Sequence, residues 1–236
     1  MNGLSRRGLL QAGAAGLGFF AASGSLLLAD DAKPTADTKD LHDYLAFLRS
    51  SSPDHGAKLT TELPASPKQI LGPYHRPGAP FRGKVTPPLE PGRVLLVHGR
   101  IWALDTKQPL ANSVLDIWQA NADGHYDMSH PDYPQEPGVF VYRTRLVTDE
   151  TGYYEFETVF PGRYKTGAEI FRPAHIHYWV RHPGYRELIT QLYFQGDPWN
   201  GKERDFQPSL ARPVQKHQRG RQQFESCDFD VVLAKA

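Results

Sequence analysis

The chain has 236 residues, a formal net charge of +1, 39% apolar residues and 22% charged residues. That length suffices for one mid-sized domain with a real core, or two small ones, and the near-neutral balance gives no electrostatic case for nucleic acid as a partner. One cysteine, Cys227, excludes an intrachain disulfide and a thiolate-rich metal site, and reads as a small buried strand residue.

Residues 4–11 read Leu-Ser-Arg-Arg-Gly-Leu-Leu-Gln, and a stretch rich in Gly and Ala runs from Ala12 to Ala29. A charged start followed by a weakly hydrophobic run is a signal-peptide pattern. The Arg6-Arg7 pair resembles the twin-arginine export signal, which carries proteins that have already folded. Residues 1–32 are therefore expected to be an address for the periplasm or the exterior. An uncleaved membrane anchor is the competing expectation, and no stable membrane association is expected once the segment is removed.

Residues 33–68 read as an arm. Within it Asp40 to Ser50 predicts a short helix with Leu41, Tyr44, Leu45 and Leu48 on one stripe. Leu63 to Pro91, rich in Pro and Gly, predicts an ordered loop. Strands are then expected over Val94–Ala103, Ser113–Gln119, Val141–Thr148, Tyr153–Val159, His175–Arg181, Leu188–Phe194 and Phe229–Leu233. The segment Asn200–Arg221 reads as a charged surface excursion with one short helical turn. Abundant Pro (20) and Gly (21), and short strands divided by turns, predict an all-β domain over 69–236. The expected form is a single β-sandwich of Ig-like or prealbumin-like topology, with long ordered loops and a short N-terminal helix.

The sharpest local feature is Arg172-Pro173-Ala174-His175-Ile176-His177. In a strand, residues two apart share a face, so His175 and His177 point together and Ile176 points to the other layer. Alone, the pair leaves several readings open: two structural strand histidines, or half of a zinc, copper or iron site. Two loop tyrosines lie upstream, Tyr126 in Asn121-Ala122-Asp123-Gly124-His125-Tyr126 and Tyr164 in Phe160-Pro161-Gly162-Arg163-Tyr164.

With these motifs together, the chain resembles the intradiol ring-cleavage dioxygenases, above all the protocatechuate dioxygenase branch. The resemblance also rests on Leu71-Gly72-Pro73-Tyr74, Ile117-Trp118-Gln119-Ala120-Asn121, Gly152-Tyr153-Tyr154 and Leu188-Ile189-Thr190-Gln191-Leu192-Tyr193-Phe194. It implies a non-haem ferric ion held by Tyr126, Tyr164, His175 and His177. It implies a catechol-type diol and O₂ as substrates, and ring opening between the two hydroxyls to a cis,cis-dicarboxylate. By the same resemblance Tyr164 leaves the metal and takes a substrate proton. Arg172 and Gln191 stabilise charge on the reacting ring.

The chain departs from the family pattern at Arg163 and Lys165, which flank the second tyrosine where prolines are common. The loop Thr166 to Phe171 lacks a tryptophan that packs over substrate in protocatechuate enzymes. These departures leave the ring substituent open, with Arg163 or Lys165 as candidates to meet a substrate carboxylate. A homo- or hetero-oligomer stays open too. Trp118 reads as core, and His98, His125, His130 and His182 as structural or surface. Two other readings compete with the dioxygenase: a secreted β-sandwich binding module with a structural metal or none, and a zinc or copper enzyme built on the histidine pair.

Overall fold

A computed structural model describes residues 38–50, 59, 63–130, 136–167 and 169–236. The expected signal segment, residues 1–32, lies outside the described residues. Among the described residues no helix is long and apolar enough to cross a membrane.

Two five-stranded sheets face one another. One holds β1 (Val94–Ala103), β4 (Tyr153–Val159), β10 (Gln215–Arg219), β11 (Gln222–Asp228) and β12 (Val231–Leu233). The other runs in the order β3 (Arg143–Val147), β2 (Val114–Gln119), β7 (His175–Arg181), β8 (Leu188–Phe194) and β9 (Ala211–Arg212). A two-stranded ribbon, β5 (Tyr164–Lys165) with β6 (Phe171–Arg172), stands apart from both.

Alternation fills the space between the sheets. Leu95, Val97 and Ile101 of β1 and Ile176, Tyr178 and Val180 of β7 are buried there with Leu115, Ile117, Phe156, Leu192 and Phe229. Each such aliphatic side chain contributes about 1.5–3 kcal/mol by leaving water. The same alternation turns His175, His177 and Trp179 to the opposite side of the second sheet, away from this core. The sandwich is therefore the support, and the outer face of its second sheet is where chemistry can be built.

The long loop Leu63–Pro91 crosses that outer face. It is tied to β8 by Gln69 N donating to Ile189 O at 2.8 Å, and to β3 by Arg145 N donating to Pro80 O at 2.8 Å. Between these anchors it passes over His177: a Cβ on Gly72 would lie 3.4 Å from the His177 ring, and Gly72 has φ +73°. A side chain there would be strained as well as crowded.

Three expectations need correction. The helix α1 (Thr38–Ser50) forms and docks through Phe47, which is 7% exposed, and through Tyr44 of the expected stripe, edge-on to Phe224 at 6.2 Å, while Leu45 and Leu48 are exposed. Phe47 sits 4.5 Å from the His217 ring and 5.4 Å from Phe224, so aromatic partners on β10 and β11 override the Leu stripe. The segment Asn200–Arg221 is not a mere excursion. It contains two 3₁₀ turns, the edge strand β9, and β10, which hairpins with β11. Its polar composition hid the strands because β10 is an edge strand with mostly exposed residues. Ser113–Gln119 reads as an alternating strand in the sequence, but it does not alternate in burial, because its outer face lies under the loops.

Candidate metal centre

The second sheet presents a cross-strand row. Trp118 of β2 faces His177 of β7, and His177 in turn faces Gln191 of β8. One step along, His175 faces Tyr193. The indole of Trp118 stacks on the His177 ring at 4.7 Å with 6° between planes, which fixes the imidazole orientation. Trp118 is thus buried as expected, but in the site rather than between the sheets.

The donor atoms converge. His175 Nε2 lies 3.1 Å from His177 Nε2 and 3.2 Å from the Tyr126 hydroxyl. His175 Nδ1 lies 2.7 Å from the Pro173 carbonyl and donates its proton there, so Nε2 carries a lone pair. Tyr126 Oη–H donates to that lone pair. The Tyr164 ring stands 5.6 Å from Tyr126 and 5.8 Å from His175, and its hydroxyl accepts from Arg172 Nη1 at 3.2 Å.

Loops hold the phenols through backbone geometry and one ion cluster. Tyr126 follows a turn in which Asn121 Oδ1 accepts from the N–H groups of Asp123 and His125. The next residue, Asp127, is buried and ion-paired to Arg143 through both its oxygens, with Arg76 Nη1 on Oδ2 at 2.9 Å. Arg143 also donates to the Tyr74 carbonyl at 3.0 Å, and the Tyr74 ring stacks on Tyr126 at 4.2 Å. Tyr164 is placed by its register opposite Arg172 across the β5–β6 ribbon. Below the ribbon, Asp197 accepts from Arg163 Nε, from the Ala174 N–H and from the Trp199 N–H.

Burial governs the charge states. Tyr126 is pushed well above the ordinary phenol range by burial, and the neighbouring Tyr164 phenol adds to this. Tyr164 is raised by burial too, with Arg172 opposing. His175 is pushed down to about 3 by burial and then by Arg172, and His177 falls well below its ordinary value by burial and by His175. Three buried donors, Tyr126, His175 and His177, and the half-buried Tyr164 thus stand together in their neutral forms. A bound cation reverses this for both phenols, because it stabilises the phenolate.

The donor set fits a hard trivalent ion. Two ligands at about 2.1 Å from one centre and at right angles lie roughly 3 Å apart, the spacing His175 Nε2 has to His177 Nε2 and to the Tyr126 oxygen. Phenolate oxygen is a hard anionic donor, and imidazole suits iron among other metals. Among the described residues no group of three or more His, Cys, Asp or Glu is placed to hold a metal, so this centre depends on its tyrosines.

A family model described as dioxygenase matches residues 70–235. The chain belongs to the intradiol ring-cleavage dioxygenase family. It is 33% identical over 186 residues to a chlorocatechol 1,2-dioxygenase of Rhodococcus opacus, covering 70% of each. It is 37% identical over 152 residues to a catechol 1,2-dioxygenase of Acinetobacter baylyi, covering 57% of this chain and 48% of that protein. It thus spans about half the length of that relative. The crystal structure of a 3-chlorocatechol 1,2-dioxygenase from Rhodococcus opacus 1CP superposes with a TM-score of 0.67 at 28% identity, covering 72% of this chain and 73% of that one.

Within this dioxygenase fold, all six residues singled out in the sequence gather at one place. Arg172 Nη2 donates to Gln191 Oε1 at 3.0 Å, and Gln191 Nε2 donates to the Ile70 carbonyl at 3.1 Å. The flanking cations do not face the donors as free charges. Arg163 pairs with Asp197 at 2.9 Å, and Lys165 Nζ lies 5.4 Å over the Phe171 ring. His125 is exposed and plays no part in the cluster. Sequence reading missed Tyr74, Asp127, Tyr193 and Glu203. Tyr74 lay inside a quoted motif, Asp127 follows a candidate ligand, and Tyr193 alternates with Gln191; Glu203 had no local signal.

Proposed function

We propose that this chain is a ferric dioxygenase that opens the ring of uncharged catechols between their two hydroxyls with O₂, giving a cis,cis-muconate-type dicarboxylate. The observation that carries this reading is the convergence of Tyr126, Tyr164, His175 and His177, with Arg172 and Gln191 directly behind. When bound there, ferric ion supplies a Lewis acid that holds the diol oxygens and favours their deprotonated forms.

The protein's own groups do the rest. His175 and His177 are fixed by the Pro173 carbonyl and by the Trp118 ring, so their lone pairs need no reorganisation. Tyr126 is held by the stacked Tyr74 ring and would be one of the residues that hold the ion. Tyr164 is half-buried and held at its oxygen by Arg172, so Tyr164 Oη is the atom that takes a diol proton. Arg172 and Gln191 then stabilise negative charge on the ring.

Charge compensation beside the reacting ring supports an uncharged substrate. Arg172 is paired with Glu203 and Arg163 with Asp197, while Arg76 and Arg143 share the one carboxylate of Asp127. A ring carboxylate next to Arg172 would leave water without a dedicated partner, which is costly. The names of the relatives, catechol and chlorocatechol, agree. Export through the twin-arginine route is part of the proposal and rests on Arg6-Arg7 and the apolar run after it.

The test is O₂ uptake by iron-loaded protein over catechol, chlorocatechols, hydroxyquinol and protocatechuate, with product analysis. Uptake with cleavage between the hydroxyls is expected, with kcat/KM at least about tenfold lower for protocatechuate than for catechol. Cleavage beside the diol, or a preference for protocatechuate, would overturn the respective parts of the reading.

A further inference from the structure

The carboxylate of Glu203 meets Arg172 at the edge of the candidate centre. Glu203 follows the short 3₁₀ turn Asn200–Lys202, 31 residues beyond Arg172 in sequence. Its side chain is only 12% exposed, and that of Arg172 only 9%. Glu203 Oε2 accepts from Arg172 Nε at 3.1 Å, and Oε1 lies 3.0 Å from Nη2. This is a two-point grip on one edge of the guanidinium, which fixes its plane and its rotation.

The grip decides where the remaining protons point. With that edge held, Nη1 is aimed at the Tyr164 oxygen at 3.2 Å, and Nη2 also reaches Gln191 Oε1 at 3.0 Å and Tyr193 Oη at 3.4 Å. Tyr193 Oη in turn donates to Gln191 Oε1 at 2.7 Å, so Gln191 is oriented from the same cluster. The Arg172 side chain is long and flexible, and without a second anchor it has rotamers that leave Tyr164. A bidentate carboxylate that is nearly buried restricts it to the one that does not.

We infer that Glu203 is a positioning residue for the ring-cleavage reaction: it orients the Arg172 guanidinium toward Tyr164 and Gln191 without itself touching the reacting atoms. This inference rests on the function proposed above, but its structural half does not. Glu203 is the only described acidic side chain paired with Arg172. It comes from the loop after the turn Asn200–Lys202, so the orientation of Arg172 depends on the docking of residues 197–205. Asp197 caps that loop by accepting from the Trp199 N–H at 2.9 Å, and Gln69 Nε2 holds its other end at the Asp205 carbonyl at 2.9 Å.

The experiment compares Glu203→Gln, Glu203→Ala and Glu203→Asp with the parent chain in two measurements. The first is the crystal structure of each variant without metal. In Glu203→Ala the Arg172 guanidinium should leave hydrogen-bond distance of Tyr164 Oη, and in Glu203→Asp it should stay. A guanidinium unmoved in Glu203→Ala overturns the inference whether or not the parent is a dioxygenase. The second applies to iron-loaded protein: kcat, KM, the visible absorption band and the iron content. Glu203→Gln should keep full iron and lose about 10- to 100-fold in kcat with KM changed less than about threefold, with a shifted visible band and partial rescue in Glu203→Asp. An unchanged kcat and band, or a kcat loss that only follows lost iron, overturns the inference. A parent that cleaves no catechol overturns the proposed function instead, and the crystal structures still decide whether Glu203 aims Arg172.

Discussion

The α-carbon of Gly124 lies directly beneath the backbone carbonyl of Arg163: a Cβ added to Gly124 would sit 2.2 Å from the Arg163 oxygen. Gly124 precedes Tyr126 by two residues and Arg163 precedes Tyr164 by one, so this contact ties the loops of both phenols together. Gly162 is equally close to Ala122, whose carbonyl would lie 2.3 Å from its Cβ. The two tyrosines are placed relative to each other by backbone meeting backbone, not by their rings alone.

Gly124→Ala therefore separates the two phenols. It also forces an L-residue into φ +87°. The variant should lose at least about 2 kcal/mol of stability and most of its bound iron. A urea titration and metal analysis check this. A fully loaded variant of parental stability would show that the two loops are independent.

Asp127 sits between two arginines in a place where water cannot replace it. Its removal leaves the 2%-exposed Arg143 side chain uncompensated. Asp127→Ala should cost about 3–5 kcal/mol, more than an exposed pair would. Because Arg143 also holds the Tyr74 carbonyl, the stacking of Tyr74 on Tyr126 should loosen with it. Calorimetry of this variant against a variant of the exposed pair Lys84–Glu157 gives the comparison.

The buried histidines make the metal-free protein acid-sensitive. The folded-state pKa of His175 lies at about 3, below its unfolded value near 6.5, so the unfolded chain binds more protons in between. Stability from this group is complete above pH 6.5 and declines as the pH falls toward 3. Between pH 7.5 and 5.5 His175 alone should remove about 1.4 kcal/mol, and His177 acts in the same direction. Denaturant melts of metal-free protein at both pH values measure it. A His175→Gln variant with the same pH slope as the parent would refute the assignment.

Much of this was legible in the sequence for a physical reason. Strands carry alternation, so the sequence alone puts His175 and His177 on one face of β7 and Ile176 on the other. The candidate donors were legible through spaced motifs whose order matched a family. What escaped has a different cause. Glu203 acts at a distance of 31 residues from Arg172 through a loop with no periodicity, and nothing local marks a carboxylate as buried. The edge strand β10 carries Gln, Lys, His, Gln and Arg, a composition that reads as surface because it is surface on most sides. The helix stripe was misjudged at Leu45 and Leu48 because amphipathic spacing identifies a face, whereas the rings of His217 and Phe224 decided which side chains dock.

Tyr126 and Tyr164 should not be equivalent on replacement by Phe. Tyr126 is 1% exposed and locked by stacking, whereas Tyr164 is half-buried and hydrogen-bonded to Arg172. Tyr126→Phe should lower iron affinity by about 10-fold or more. Tyr164→Phe should retain more iron but lose most of kcat, since it removes the proton acceptor. Competition with a chelator, alongside steady-state rates, separates the two.

The most direct measurement is the iron content and visible spectrum of the purified, iron-reconstituted chain. The account predicts one ferric ion per chain and a broad visible tyrosinate charge-transfer band, altered in Tyr164→Phe and lost when His175 and His177 are both replaced. A colourless protein that binds zinc or copper in preference, or a band that survives replacement of Tyr126 and Tyr164 together, would contradict it.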